Sequence, residues 1–259
     1  MLFRTNHSIF VVAHPDDVEL FAFRSLVNAI KLKHKITIII LTAGDDGKGN
    51  QGGSDNSYWK LRVNGQKNAL KFLLHRIADT PITEKHFDTD TWHTSLNNLS
   101  IYNLKLPDQR HHGQFKNENQ LTLIERNQID FISTIDNLKK YTKSDVIKKI
   151  REIITIDSGI FQEKHLHITS LSTQNSNDHT DHRAASKLAI DATKNLIKHQ
   201  NIHEHQTYNN IKENINMSTE EQFLHAAVWG IYNSKIQSEY PELSGRLQTV
   251  YIGKEYIIK

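Results

Sequence analysis

Two short polar stretches contain the side chains of this sequence that are best suited to chemistry. The first, 14–17, reads His-Pro-Asp-Asp and comes directly after the apolar run 9–13. The second, 178–182, reads Asp-His-Thr-Asp-His and lies late in the chain. Carboxylates and imidazoles at the end of a buried strand cost free energy unless they are paired or bind a metal. Together, the two stretches therefore predict a metal site.

The residue types restrict which metal site this can be. The chain has no cysteine, so only His, Asp and Glu side chains are available as ligands. Catalytic zinc takes three such ligands and keeps a fourth position for water. His14, Asp17 and His182 form one such set. Because zinc lowers the pKa of a bound water to roughly 7 and polarises a substrate carbonyl, this set predicts a hydrolase.

The remaining polar side chains of the two stretches suggest the other roles. Asp16 could be the general base, because adjacent residues in a turn can direct one side chain to the metal and the other to its water. His179 could stabilise an oxyanion or protonate a leaving amine, and Asp181 could orient a histidine. Each stretch alone could also be an ordinary helix start, with an aspartate such as Asp178 as the capping residue. The presence of both at predicted strand-to-helix junctions favours the metal site.

The elements that must position these residues follow an alternating pattern. The apolar runs 8–12 and 36–41 predict buried strands, and 18–32 predicts the helix between them. A strand, a helix and a strand within about 40 residues form a βαβ unit with a right-handed crossover. Further helices are predicted over 58–74, 122–138, 146–156 and 182–199, and further strands over 99–106, 165–171, 223–232 and 249–258. These elements predict an α/β fold, with a Rossmann-like and mainly parallel sheet flanked by helices in a single domain over 1–259.

Several polar segments fall at the predicted carboxyl ends of strands, where open parallel sheets bind ligands. Asp108 follows the strand 99–106, and the glycine-rich loop 42–57 follows the strand before it. Loops longer than about 12 residues without secondary structure often have a function, so this loop is interpreted as a lid or a substrate-binding loop. The segments 45–57 and 109–117 are expected to rim the pocket and to determine its specificity.

Composition argues against several other classes of protein. The net charge is only +3 over 259 residues and the lysines are scattered, which argues against a nucleic-acid partner. No apolar run approaches the roughly 20 residues needed to span a bilayer, and the first residues do not resemble a signal peptide. We therefore expect a cytoplasmic location. The segment 200–259, which carries no motif, is expected to cap the pocket or to make the contact of a homo-oligomer.

At these residues the sequence resembles the PIG-L/LmbE-like de-N-acetylases. That family has a His-Pro-Asp-Asp motif after its first strand and a His-x-Asp-His motif late in the chain, as at 14–17 and 179–182 here. Weaker matches follow in the expected order between them, at 41–47, 58–59, Arg62, Gly65 and 104–108. The resemblance implies a Rossmann-like fold and zinc-dependent hydrolysis of an N-acetyl group, typically on an N-acetylglucosaminyl compound.

Carried over by position, the resemblance implies the same zinc ligands, general base and acid or electrophilic histidine as above. It also implies that Arg62 lies near the substrate and that Asp108 supports the site. The family often has an acid directly after this arginine, where Val63 stands here, which leaves the partner of Arg62 open. The predicted function is zinc-dependent removal of an N-acetyl group from an amino-sugar conjugate. Two alternatives stay open: metal-dependent hydrolysis of a phosphoester or another amide, and a sugar-binding module without catalysis.

Overall fold

An open seven-stranded sheet organises the part of the chain that the computed structural model describes, namely residues 5–48, 57–78, 81–88, 91–108, 118–158, 163–169, 171, 178–240 and 248–258. Its strands are β1 (His7–Val12), β2 (Lys35–Thr42), β3 (Glu84–Asp88), β4 (Trp92–Leu96), β5 (Leu99–Leu106), β8 (Lys164–Thr169) and β9 (Ile202–His205). Two short strands, β6 (Ile132–Ser133) and β7 (Lys140–Tyr141), form a separate hairpin. The helices are α1 (Asp17–Phe21), α2 (Phe23–Lys31), α3 (Tyr58–Ala78), α4 (Gln120–Glu125), α5 (Lys143–Asp157), α6 (Thr180–Thr193) and α7 (Thr219–Glu239).

The strand order, β3-β4-β5-β2-β1-β8-β9, explains how residues distant in sequence meet. Strands β5, β2, β1, β8 and β9 run parallel, whereas β4 pairs antiparallel with both β3 and β5. The predicted mainly parallel sheet is therefore confirmed. From β1 the chain first adds β2 on one side, and it later adds β8 on the other side. The loops after β1 and β8 diverge at this reversal and leave the crevice in which open α/β sheets bind ligands.

Helices cover both faces of the sheet, which is why the central strands read as unbroken apolar runs. Phe10 and Val12 of β1 belong to one core, together with side chains of α1, α2, α3 and α7. Ile9 and Val11 belong to a second core on the opposite face, with side chains of α4, α5 and α6. Burial on both faces holds β1 in place and thereby positions the turn that follows it.

Among the described residues, no helix combines the length and the apolar character needed to cross a membrane.

The prediction of one helix over 122–138 is wrong. Helix α4 ends at Glu125, and the chain then forms the β6–β7 hairpin. Asn127 and Asn137 have left-handed backbone conformations, with φ of 56° and 58°, through which a right-handed helix cannot continue. The buried Nζ of Lys105 on β5 contacts the Asp136 carboxylate at 2.9 Å, which ties the hairpin to the sheet.

The prediction of a strand over 223–232 is also wrong, because this segment lies inside α7. The helix begins with a capping box, in which the Ser218 hydroxyl accepts the N–H of Glu221 and the Glu221 carboxylate accepts the N–H of Ser218. Its buried side chains recur every three or four residues, at His225, Val228, Trp229, Tyr232 and Ile236. This spacing packs α7 against α3 instead of pairing it with a strand.

The end of the chain departs from prediction as well. The segment 249–258 is not a strand but a 3₁₀ helix, Gln248–Tyr251, followed by a tail that makes an isolated bridge to β9. In this tail the Glu255 carboxylate accepts the N–H groups of Arg24 and Ser25. These are N–H groups of the first turn of α2, whose preceding residue, Ala22, has no side chain that could cap it. The predicted helix 18–32 is therefore divided at Ala22, and the tail caps its second half.

Candidate active site

The turn after β1 folds the side chain of Asp17 back onto its own backbone. Asp17 Oδ2 accepts hydrogen bonds from the N–H groups of Ala13 at 3.0 Å and His14 at 2.9 Å. Its other oxygen, Oδ1, faces His182 Nε2 at 3.2 Å and His14 Nδ1 at 3.5 Å. The turn after β1 and the first turn of α6 thus bring one carboxylate and two imidazoles together.

These three side chains, His14, Asp17 and His182, have ligand atoms that lie within 4.8 Å of one another, and all three are buried. Two ligands about 2.0 Å from a tetrahedral zinc ion lie roughly 3.3 Å apart. The separations of 3.2 and 3.5 Å from Asp17 Oδ1 agree with that geometry. Two imidazole nitrogens and one carboxylate oxygen are also a ligand set typical of catalytic zinc. The residues therefore fit a zinc ion.

Asp178 determines the orientation and the tautomer of His182. His182 Nδ1 donates to Asp178 Oδ1 at 2.8 Å, so in the neutral ring the lone pair of Nε2 lies on the Asp17 side, where a metal could bind it. A carboxylate behind a ligand histidine is a common arrangement in metal sites. The one role that the sequence suggests for Asp178 is that of a helix cap, in the alternative without a metal site, but the structure caps α6 with His179 instead. The four-residue spacing of Asp178 and His182 at a helix start is the signal that could have indicated this pair.

A second group of ligand atoms shares His14 with the first. His14, Asp108, His179 and Asp181 also place ligand atoms within 4.8 Å of one another. His14 Nε2 lies on this side, 3.6 Å from Asp108 Oδ1, and has no hydrogen-bond partner among the described residues despite its burial. The loop after β2 holds Asp108, because Asp45 Oδ1 accepts the N–H of Asp108 at 2.6 Å. The His14 ring therefore separates two clusters of polar side chains.

Attraction between carboxylates and imidazoles offsets the cost of burying them. Burial disfavours the charged form of His182, yet Asp17 and Asp178 raise its pKa to about 9. Burial also opposes the charging of His14, but Asp108 and Asp17 raise its pKa well above the usual value. In turn, His182 and His14 hold the pKa of Asp17 well below its usual value despite burial. Without a metal, both histidines bind a proton near neutral pH, and a bound cation would replace that charge.

His179 is the N-cap residue of α6, where its Nδ1 accepts the N–H of Asp181 at 3.4 Å. This contact favours the tautomer with the ring proton on Nε2. Asn119 Nδ2 lies 3.5 Å from Nε2 but cannot accept that proton, and it donates instead to Asp181 Oδ2 at 2.9 Å. Burial, together with the charges of His14 and His182, lowers the pKa of His179 to about 3. His179 is therefore a neutral hydrogen-bond donor, a form suited to stabilising an oxyanion and not to protonating a leaving group.

Asp181 connects α6 to α4. It is completely buried and accepts hydrogen bonds from Asn119 Nδ2 at 2.9 Å and Thr122 Oγ1 at 3.2 Å. Its carboxylate is 3.9 Å from His179 Nδ1, which is too long for a hydrogen bond. The structure therefore places Asp181 beside the histidines without the direct bond that its predicted orienting role requires.

Asp16 is held by Arg62. Arg62 Nη2 donates to Asp16 Oδ1 at 2.5 Å, and the Asp16 side chain makes no capping hydrogen bond to α1. The same guanidinium donates from Nη1 to Gly44 O at 2.8 Å and from Nε to Tyr232 Oη at 2.9 Å. Burial disfavours the charge on Arg62, but Asp16 keeps its pKa well above the usual value. The partner of Arg62, which the sequence left open, is therefore Asp16.

These groups line a cavity of about 280 Å³. Its charged and imidazole lining includes His14, Asp16, Asp17, Arg62, Asp108 and His179. The C-terminal part of the chain contributes a further part of the lining, the C-terminal wall, with Tyr208, Trp229, Tyr232, Asn233 and Ile236. The segment 200–259 thus contributes to the pocket, and the sequence identified none of these five residues. Of the segments predicted to determine specificity, 49–56 and 109–117 lie outside the described residues.

A family model described as GlcNAc-PI de-N-acetylase, PIG-L, matches residues 9–193, well over half of the chain. The chain belongs to the PIG-L family. The match includes both polar stretches and Arg62, and it confirms the resemblance seen in the sequence. It ends before α7, so the C-terminal wall of the pocket in this PIG-L family member lies outside the matched region. No curated protein matches the sequence of the chain.

The solved structures that match this PIG-L family member have low sequence identity to it. A deacetylase from the biosynthesis pathway of teicoplanin is 13% identical, with 95% of this chain and 90% of that chain covered and a TM-score of 0.51. The N,N′-diacetylchitobiose deacetylase of Pyrococcus horikoshii is 12% identical, with 92% and 74% covered and a TM-score of 0.46. The 4-carboxy-2-hydroxymuconate hydratase GalB of Pseudomonas putida KT2440 is 11% identical, with 95% and 82% covered and a TM-score of 0.47. At 13% identity, the similarity to the deacetylase of the teicoplanin pathway concerns the fold alone.

Proposed function

We propose that this PIG-L family member is a zinc-dependent amidohydrolase that removes the N-acetyl group from an N-acetylglucosamine-type conjugate. The observation that carries the proposal is the buried group of His14, Asp17 and His182, which lies beside Asp16 in the cavity. The family match supports the bond and the class of sugar, because the family is described as de-N-acetylating a GlcNAc conjugate.

Zinc held by His14, Asp17 and His182 would supply a Lewis acid for the water and the substrate carbonyl. Asp16 is the general base in this proposal. Its carboxylate accepts a proton from the water as the water oxygen bonds to the acetamide carbon. The Arg62 guanidinium keeps that carboxylate in one orientation, because it donates to Asp16 Oδ1.

His179 donates from Nε2 to the carbonyl oxygen while negative charge develops there. Because the pKa of His179 is lowered to about 3, its ring carries no second proton that it could give to the leaving nitrogen near neutral pH. The proton taken up by Asp16 is therefore the one that passes to the amine as the C–N bond breaks. One water is consumed, and the products are acetate and the free amino sugar.

Replacing Asp16 by asparagine tests the proposal. Asp16→Asn should keep its zinc but release acetate from N-acetylglucosamine conjugates about 10²- to 10⁴-fold more slowly, the usual contribution of a general base. Metal analysis and an amine-release assay measure the two properties on one preparation. The matched control is Asp191→Asn, which changes an exposed aspartate of α6 and should leave both unchanged. Undiminished acetate release by Asp16→Asn would refute the assignment of the base.

A second candidate function, hydrolysis of a phosphoester or another amide with two metal ions, is favoured by the second ligand group. That group, with Asp108, His179 and Asp181 around His14 Nε2, has the ligand types for another cation. One zinc per chain together with amine release supports the deacetylase, whereas two zinc ions and phosphate release support the alternative. Binding of a conjugate without release of either product would indicate a sugar-binding module.

A further inference from the structure

The hydroxyl of Tyr232 lies at the end of a buried series of contacts that leads to Asp16. Arg62 Nε donates to Tyr232 Oη at 2.9 Å, and Arg62 Nη2 donates to Asp16 Oδ1 at 2.5 Å. Tyr232 is 2% exposed and Arg62 is 8% exposed, so little water competes for these bonds. Tyr232 belongs to α7, outside the residues 9–193 that the family model matches.

The three contacts of Arg62 define the position of its guanidinium completely. The group is planar and rigid, so partners at Nε, Nη1 and Nη2 determine both its place and its rotation. Gly44 O and Asp16 Oδ1 are the partners of the two Nη atoms. Loss of the Nε partner would leave the plane of the guanidinium free to tilt, and the carboxylate bonded to Nη2 would tilt with it.

The packing of α7 against α3 keeps Tyr232 in place. A Cβ added to Gly65 would lie 2.4 Å from Tyr232 O, so the two helices approach each other closely at this point. Gly65 is three residues after Arg62, on the same side of α3. Trp229 stacks on the Tyr232 ring, with centroids 5.0 Å apart and planes 25° apart. The tyrosine ring is thus fixed by packing, and its hydroxyl presents an acceptor at a defined place.

We propose that Tyr232 is a positioning residue for the reaction: it fixes Arg62, and Arg62 fixes the carboxylate of Asp16. The inference rests on the proposed function, in which Asp16 is the general base. The Tyr232 hydroxyl affects the general base, Asp16, and does not affect the binding of the sugar. Loss of the hydroxyl should therefore lower kcat and leave KM nearly unchanged.

The test compares Tyr232→Phe with Tyr256→Phe in the zinc-loaded protein. Tyr256 is the matched control, because its hydroxyl donates to Asn214 O at 2.7 Å and it does not line the cavity. Tyr232→Phe should lower kcat about tenfold, as expected for one hydrogen bond to a charged group, whereas Tyr256→Phe should not. In protein labelled with ¹⁵N at arginine, the Nε–H resonance of Arg62 should shift in Tyr232→Phe and stay in place in Tyr256→Phe.

Each other outcome overturns the inference. With an active wild type, an unchanged kcat in Tyr232→Phe overturns it, and so does a rise in KM alone or an equal loss in Tyr256→Phe. If Tyr232→Phe folds poorly, Arg62→Lys keeps the charge but lacks the Nε donor, and an unchanged kcat in that variant overturns the inference. A wild type without amine release overturns the proposed function and this role with it. An unshifted Arg62 Nε resonance in Tyr232→Phe overturns the contact itself, whatever the activity.

Discussion

Replacing Glu19 by glutamine tests whether α1 carries an uncharged carboxyl group beside the site. Glu19 is completely buried and accepts a hydrogen bond from Gln66 Nε2 at 3.0 Å. Burial, together with the charges of Asp16 and Asp17, raises its pKa from 4.5 to about 8. Glu19 Oε1 and Gln66 Oε1 are both buried without a hydrogen-bond partner among the described residues. Both oxygens can only accept hydrogen bonds while Glu19 is charged, whereas a protonated Glu19 carries a hydrogen that it can donate.

The size and the sign of the effect follow from the two pKa values. The folded state holds the Glu19 proton more tightly than the unfolded state. The stability due to the neutral acid is therefore complete below about pH 4.5 and is lost as the pH rises to about 8. A shift from 4.5 to about 8 corresponds to about 5 kcal/mol. Glutamine has nearly the same shape and no charge, so Glu19→Gln should gain about 4 kcal/mol over the wild type between about pH 5 and pH 9.

Denaturant unfolding of both proteins at a series of pH values measures this difference. Comparison at each pH cancels the other titrating groups and the pH dependence of metal binding, which the two proteins share. The matched control is Glu152→Gln, which makes the same change at an exposed position of α5 and should show no pH-dependent difference. A difference between Glu19→Gln and the wild type that stays constant over this range would refute a neutral, buried Glu19.

Three further predictions concern packing and the metal. Gly65→Ala puts a Cβ 2.4 Å from a backbone oxygen of α7 and should destabilise the fold by about 1–3 kcal/mol in denaturant unfolding; its control, Gly230→Ala, meets nothing within 4 Å and should stabilise α7 by about 1 kcal/mol. By metal analysis, Asp17→Asn should lose its zinc on dialysis, whereas Asp108→Asn should keep one zinc per chain; the opposite result would move the ion to the second ligand group. Because the pKa of His182 is raised to about 9, zinc must displace a proton from this residue below that pH. The loss of this one proton should lower the zinc affinity, measured by calorimetry, about tenfold for each pH unit below about 9. A zinc affinity independent of pH would contradict this.

The parts of the fold that could be predicted from sequence are those with a strong local signal. The sequence predicts strands β1 and β2 to within two residues at either end, because burial on both faces produces unbroken apolar runs. Strand β5 is predicted instead from the alternation of apolar and polar residues over 99–106. The two polar stretches were placed at the carboxyl ends of strands, and the crossover rule then brings them to one edge of the sheet. That much of the site depends on local pattern and on topology alone.

Other parts needed information that a local reading passes over. The apolar run 223–232 looks like a strand in isolation, but Ser218 and Glu221 before it have the spacing of a capping box, and that signal predicts a helix. The supporting contacts of the site are less accessible still. Tyr232 has the spacing of an ordinary core residue of α7, and only tertiary structure shows that its hydroxyl meets Arg62 of α3. A sequence pattern defines which face of a helix is buried, but not which polar atom that face presents to another helix.

The adjacent residues Asp16 and Asp17 are held by separate parts of the fold. The carboxylate of Asp17 is bonded to the turn after β1 and faces His182 of α6, so the sheet and α6 position it. The carboxylate of Asp16 is bonded to Arg62, so α3 and, through Tyr232, α7 position it. The supports of the proposed zinc ligands lie inside the region that the family model matches, whereas the last support of the proposed base lies outside it. Substitutions in α7 should therefore change the rate at which bound substrate is hydrolysed, while metal binding stays intact.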